Sequence, residues 1–254
     1  MNDIIKVLLA HRTIRSFDTE YSIPEDEIKM IVRAGQQAAT SCSGQMYTII
    51  NISKEIRAEI YELCGKQEFV KEASHFFIVC VDLYRLRTIV QRVGGENRGW
   101  PLASLQIGIF DAGMMAQNMA VAAESLGYGT AFCGSCGDRP NELIDRLKLP
   151  EFVMPLTGLA IGKANENPPV RPRLPTTLVF HTDEYKEYLV ENLEDGIEEM
   201  DIFLRTEGYY KKYSDKDDFG WRDHIKGKFG GKWLEIVEKR RKKALQRQKF
   251  LPTE

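Results

Sequence analysis

The chain carries almost no net charge: 35 Lys and Arg stand against 37 Asp and Glu in 254 residues, a formal balance of -2. So even a balance provides no global attraction for nucleic acid or an anionic membrane, and any anion site must be local. A disulfide framework is also missing. Cys42, Cys64, Cys80, Cys133 and Cys136 are odd in number and irregular in spacing, which fits a reducing compartment. The leading segment MNDIIKVLLAHR has no basic region ahead of a long apolar run and no small-residue cleavage site, so a cytoplasmic location is expected. There is no uninterrupted apolar span either. The stretch from Leu102 to Leu126 is broken by Gln106, Asp111, Gln117, Asn118 and Glu124, and a carboxylate near mid-bilayer costs roughly 3 kcal/mol on insertion scales.

Signature loops are absent as well. There is no P-loop and no G-x-G-x-x-G after a strand, which removes two common routes to nucleotide binding. No G-x-S-x-G elbow is present, and His11, His75, His181 and His224 lack flanking catalytic signatures, so nucleophilic hydrolysis has no support. Cys133-Gly134-Ser135-Cys136 is a lone C-x-x-C with no second pair and no H-x-x-x-H, so no metal site is expected. A thiol-disulfide role for Cys133 and Cys136 stays open.

What is present is a packable chain, 43% hydrophobic. Apolar spacing predicts helices over residues 3–10 and 24–38, the latter opened by a capping box of Ser22 and Glu25. A strand is predicted over 46–52, a short helix over 55–64, and a central strand over 76–81. After the long helix come a strand at 129–133, a helix at 140–147 and a strand at 153–161. The interleaving implies a layered α/β or α+β architecture, with parallel pairing not assured. The long helix needs cover on most sides, and a subunit interface along it is expected. Residues 165–175 form a proline-rich extended connector, followed by helices over 184–204 and 233–247 separated by a Gly, Asp and Lys rich loop. The basic run Lys239 to Lys243 reads as a solvated helix face.

Three clusters carry chemistry. His11-Arg12-Thr13-Ile14-Arg15 crowds cations and a hydroxyl at a helix end, suited to a phosphate or simply to the helix dipole. Arg171 and Arg173 are two apart in a stiff extended segment, so both can face one anion or form surface ion pairs. Thr40 to Gln45 is a run of small polar residues, either a ligand-donating loop or a plain turn.

In this order, the segments HRTIRSF at 11–17, AGMMAQNMAVAAESLGYGT at 112–130, LKLPEFVMPLTGLAIG at 147–162 and NPPVRPRLP at 167–175 resemble the larger, NADPH-preferring branch of the nitroreductase family, from about residue 3 to about 185. The resemblance implies an α+β fold with a central, mainly antiparallel sheet flanked by helices, and a long buried helix at a homodimer interface. It divides the chain into an FMN-binding domain at 1–182 and a helical extension at 183–254. His11, Arg12, Thr13 and Arg15 match flavin contacts. Arg171 and Arg173 match the cationic pair at the FMN phosphate. Thr40, Ser41 and Gln67 match positions at the ribityl chain or ring edge. Cys133, Gly134 and Ser135 match the loop whose backbone N–H lies near flavin N5, and Arg205 falls near an arginine for the NADPH 2'-phosphate.

The implied activity is hydride transfer from NADPH or NADH to FMN, then delivery of two electrons to nitroaromatic, quinone or free flavin acceptors. FMN carries the chemistry, so no catalytic side chain is required. Two alternatives are an FMN-binding protein with little turnover and a flavin-to-dithiol reductase using Cys133 and Cys136. Residues 90–101 read as an insertion or loop on the active-site side. No nucleic-acid or membrane partner is expected.

Overall fold

A computed structural model of the chain describes residues 1–98, 101–187, 190–212 and 218–253. It comprises two compact units, Met1–Pro168 with Val237–Glu254, and Pro169–Ile236.

The first unit contains α1 (Asp3–Leu9), α2 (Glu25–Gln36), β1 (Tyr47–Asn51), α3 (Arg57–Leu63), α4 (Phe69–Glu72), β2 (His75–Asp82), α5 (Tyr84–Arg92), α6 (Pro101–Ser125), β3 (Gly129–Cys133), α7 (Pro140–Leu147) and β4 (Val153–Gly162). The second contains α8 (Val190–Thr206) and α9 (Trp221–Phe229), and α10 (Lys232–Arg247) begins there and ends in the first. The sheet order is β1-β2-β4-β3, with every named pair antiparallel.

β2 is buried on both faces, which is why its sequence is an unbroken apolar run rather than an alternation. Phe76, Ile78 and Cys80 enter the core shared with α3 and α7, while Phe77 and Val79 enter the core under α2 and α6. Pro155 is tolerated in β4 because β3 pairs only with Gly158 to Gly162, and the register against β2 shifts between Val79 and Cys80 beside it. Buried Arg57 donates to the Ile52 carbonyl at 3.1 Å and to those of Ala73 and Ser74, tying the end of β1 to the start of β2.

α6 buries Ala112, Met115, Ala116, Met119, Ala120 and Ala123, a helical stripe of mostly small side chains that admits α2 closely. Its other side leaves Leu102, Ile109, Phe110 and Met114 exposed. Among the described residues no helix is long and apolar enough to cross a membrane.

Several expectations change. The capping box is not formed: Pro24 is the N-cap, so Glu25 opens the helix and instead pairs with Lys29 at 2.6 Å. Residues 90–101 are not wholly loop, since α5 runs to Arg92 and α6 starts at Pro101, with Gly99 and Trp100 outside the described residues. The helix expected over 184–204 starts at Val190, with Tyr188 and Leu189 outside the described residues. The loop after it holds α9, while 213–217 lie outside the described residues. The chain end belongs to the first compact unit, where Ala244 and Phe250 are buried with Met46, Leu105 and Met154.

The α2–α6 contact depends on Gly35, where an added Cβ would lie 2.5 Å from Met119 Cγ and 3.2 Å from the Met115 carbonyl. Gly35→Leu should therefore cost about 1–3 kcal/mol by overpacking, and thermal denaturation should show a midpoint lowered by roughly 2–4 °C per kcal/mol.

Candidate functional site

The cationic N-terminal segment becomes an edge of the sheet. Thr13 bridges Thr130 in parallel, and the Ile14 N–H donates to the Thr130 carbonyl at 2.9 Å. Ile14 and Phe17 are buried and anchor the segment, so the residues between them face outward. Gly129 permits the approach: a Cβ there would lie 2.7 Å from Ile14 Cγ1. Phe17 pairs with Ala164, and the Glu166 carboxylate accepts the N–H groups of Arg15 and Ser16, the latter at 3.1 Å. The connector is thus stitched to the cationic segment from its first residues.

His11 is held from α6. Its Nδ1 lies 2.8 Å from Glu124 Oε1, and the Thr130 hydroxyl donates to the same oxygen at 2.5 Å. Exposed Arg12 borders a cavity of about 290 Å³ that also touches Val7, Glu124, Tyr128, Glu166 and Asn167.

The polar run after α2 is no plain turn. Cys42, Ser43 and Gln45 adopt left-handed backbone (φ 50, 54 and 48), which non-glycine residues avoid unless held. The holder is Asp111 of α6, 1% exposed, whose two oxygens accept the Ser41 and Met46 N–H groups at 3.1 Å each. Thr40 is half-buried and the Ser41 side chain exposed at the mouth of this loop.

At the other end of β3, Gly134 is exposed with open space where a Cβ would be. Gly65 (φ 73) lies so close to Ser135 that a Cβ would sit 2.8 Å from its side chain, and Gln67 Nε2 donates to the Gly65 carbonyl at 3.1 Å. Gln67, Cys133, Gly134 and Ser135 are therefore brought together. His11, Arg12, Thr13 and Arg15 gather at the start of the same strand, roughly 13 Å away at the usual rise per residue. The geometry suits an elongated ligand with an anionic tail at one end and a flat body at the other.

The arginines of the second unit are differently disposed. Arg171 donates through Nε and a terminal nitrogen to both Glu207 oxygens at 2.9 Å and stacks over Tyr209 at 4.0 Å, so its charge is reinforced and its fork occupied. Its pKa is raised by that carboxylate. Arg173 donates to the carbonyls of Arg171 and Pro172 at 3.2 and 3.1 Å. Arg205 pairs with Asp201 one helical turn away.

The alternative of a Cys133–Cys136 dithiol relay would involve two buried sulfurs. Both thiols are buried, at 2% and 0% exposure, and Cys136 Sγ lies 2.8 Å from Cys64 Sγ. A protein disulfide has no exposed sulfur to meet. Among the described residues there is no metal-binding cluster.

Sequence reasoning missed Glu124, Asp111, Glu166 and Gly65. Each acts on a partner distant in the chain, so only the capping-like short polar loops near their partners gave any signal.

Asp111→Ala would strand the buried Met46 N–H at about 1–3 kcal/mol and the part-buried Ser41 N–H at less. Urea denaturation should show a loss of roughly 3 kcal/mol, and Asp111→Asn a smaller one, since one acceptor oxygen survives.

The "Nitroreductase family" profile matches residues 8–163, and "Nitroreductase family, C-terminal domain" matches 171–252. The chain is 34% identical over 231 residues to "FMN reductase (NADPH)" of Bacillus subtilis (strain 168), covering 89% of this chain and 90% of that one. It is 32% identical to "NADPH-flavin oxidoreductase" of Vibrio harveyi, covering 91% and 92%. Among solved structures, "NfrA1 nitroreductase from B. subtilis" superposes with a TM-score of 0.83 at 30% identity, covering 95% of this chain and 98% of that one. The NADPH:FMN oxidoreductase from Vibrio harveyi complexed with NAD+ gives 0.79 at 29%, covering 94% and 98%.

Proposed function

The chain belongs to the nitroreductase family, and on that premise we propose that it is an FMN-dependent NAD(P)H oxidoreductase that passes two electrons to small oxidised acceptors: nitroaromatics, quinones or free flavin. The observation that carries this reading is the pairing of a cationic segment at one end of β3 with an open glycine turn at the other. Their separation and chemistry fit a flavin mononucleotide.

Bound FMN supplies the hydride-accepting and electron-donating chemistry. The residues of this chain place and bias it. Arg12 and Arg15 offer planar forks to phosphate oxygens; Arg171 and Arg173 are phosphate candidates by the family resemblance of the connector alone. His11, oriented by Glu124, and Thr13 complete the polar lining of that end. Thr40, Ser41 and Gln67 present short polar groups to the ribityl chain and ring edge. Gly134 has no side chain to keep a flat ring away, so its backbone N–H and that of Ser135 can donate where negative charge develops. Arg205 is assigned to the NADPH 2'-phosphate on its sequence position.

The exposed apolar residues of α6 and of α1, among them Ile4, Leu8, Leu9, Phe110 and Met114, support a homodimer packed along these helices. A cytoplasmic location is consistent with the reading.

Purified protein should be yellow with a flavin spectrum, and NADPH added anaerobically should bleach it within the mixing time. A colourless protein that takes up no FMN would sink the proposal, and a yellow protein that stays oxidised for minutes would reduce it to a flavin carrier. Arg15→Ala should weaken FMN binding by roughly tenfold or more, the effect of removing a charged hydrogen bond of about 1.5–3 kcal/mol. Flavin fluorescence titration reads this directly.

A further inference from the structure

Three of the five cysteines meet beneath the two loops at the glycine-turn end of β3. Cys64 follows α3, Cys133 ends β3, and Cys136 lies in the turn beyond it. Cys136 Sγ lies 2.8 Å from Cys64 Sγ, and Cys133 Sγ lies 3.5 Å from the Cys64 carbonyl oxygen. All three are free thiols, 0%, 2% and 0% exposed in chain order. The C-x-x-C spacing suggests the pair 133 and 136, yet the fold gives Cys136 to Cys64.

The three sulfurs are not equivalent. Hydrogen bonds from Cys136 and Cys64 pull the Cys133 thiol down to about 4. Its hydrogen bond with Cys133 pushes Cys64 up, and burial pushes Cys136 up. Access is restricted to small molecules. Exposed Gly65 and Gly134 directly follow Cys64 and Cys133 in the chain, so a local opening of these loops admits a small oxidant and excludes a protein.

We propose that Cys64 and Cys136 form a disulfide-forming modification site under the glycine turn, oxidised by hydrogen peroxide. The Cys136 thiol gives its proton to water as its sulfur attacks one peroxide oxygen. The O–O bond breaks, giving a sulfenic acid and hydroxide. Cys64 sulfur then attacks the sulfenic sulfur, forming the S–S bond and releasing the second hydroxide. The two hydroxides leave as water with the two thiol protons, so two thiols and one peroxide yield one disulfide and two waters. The new bond joins the end of α3, and with it Gly65 and Gln67, to the turn that carries Gly134 and Ser135. Its effect on turnover rests on the flavin-reductase reading; the bond itself does not.

The test treats the purified protein, with whatever flavin it holds, with a small excess of hydrogen peroxide. Remaining thiols are alkylated under denaturing conditions and peptides are mapped by mass spectrometry. The expected product is a dithiothreitol-sensitive peptide pair joined through Cys64 and Cys136, lost in Cys136→Ser and formed with unchanged linkage in Cys133→Ala. A Cys133–Cys136 link in the wild-type protein, or recovery of Cys64 and Cys136 both alkylated, overturns the proposal. In crosslinked protein NADPH-dependent flavin reduction should fall several-fold and return with dithiothreitol. An unchanged rate with the crosslink in place overturns the effect on turnover and leaves the site standing.

Discussion

The first unit's site hangs on the pairing of Thr13 with Thr130. β3 ends the sheet, and an edge strand exposes unpaired backbone groups that must be satisfied or covered. Here the chain's own N-terminal segment covers them, with Ile14 donating to the Thr130 carbonyl and driving its side chain into the core. That single docking step fixes where Arg12 and Arg15 stand relative to β3. Because β3 is also the strand that leads into Gly134, the same contact sets the distance between the cationic end and the glycine turn. Glu124 locks the junction from outside by accepting from both His11 and Thr130, so the two partners cannot slide independently.

A second consequence follows for charge. Local cations in a chain of almost zero net charge need not be idle before a ligand arrives. Arg171 is held by both Glu207 oxygens, Arg205 by Asp201, and the N–H groups beside Arg15 by Glu166. Each carboxylate positions or satisfies a group that an anion can also use. Ligand binding at such a group is an exchange of one anion for another, which favours a strong polyanion such as a phosphate monoester over a single carboxylate.

The sequence made legible what depends on local pattern. β3 and α7 were readable to the residue because turn signals bound them, and β2 because burial on both faces leaves a continuous apolar run. α5 and α9 were not, since neither holds a fully buried side chain. At the site, residue type gave His11, Arg12, Thr13, Arg15 and the glycine turn as candidates. The groups that orient them stayed hidden, because Glu124 lies 113 residues from His11 and Asp111 lies 70 from Ser41. Nothing in one chain's spacing encodes such contacts. The contact of Cys136 with Cys64, 72 residues away, was equally hidden.

The polar residues that bar α6 from a membrane now have an explanation of their own. Asp111 holds the left-handed loop before β1, Asn118 donates to the Ala34 carbonyl of α2 at 3.4 Å, and Glu124 holds His11 and Thr130. Between them the helix buries alanines and methionines, a surface with little polar specificity. Alanine and methionine stripes permit close packing but tolerate sliding, since neither residue fixes a register. The three polar side chains remove that freedom, because a shift of α6 by one residue would break all of their bonds at once and leave Asp111 buried without a partner. The apolar stripe therefore supplies most of the helix's attachment, and the polar exceptions decide where along the sheet it rests. The loop at 40–46 and the start of β3 inherit their positions from that choice.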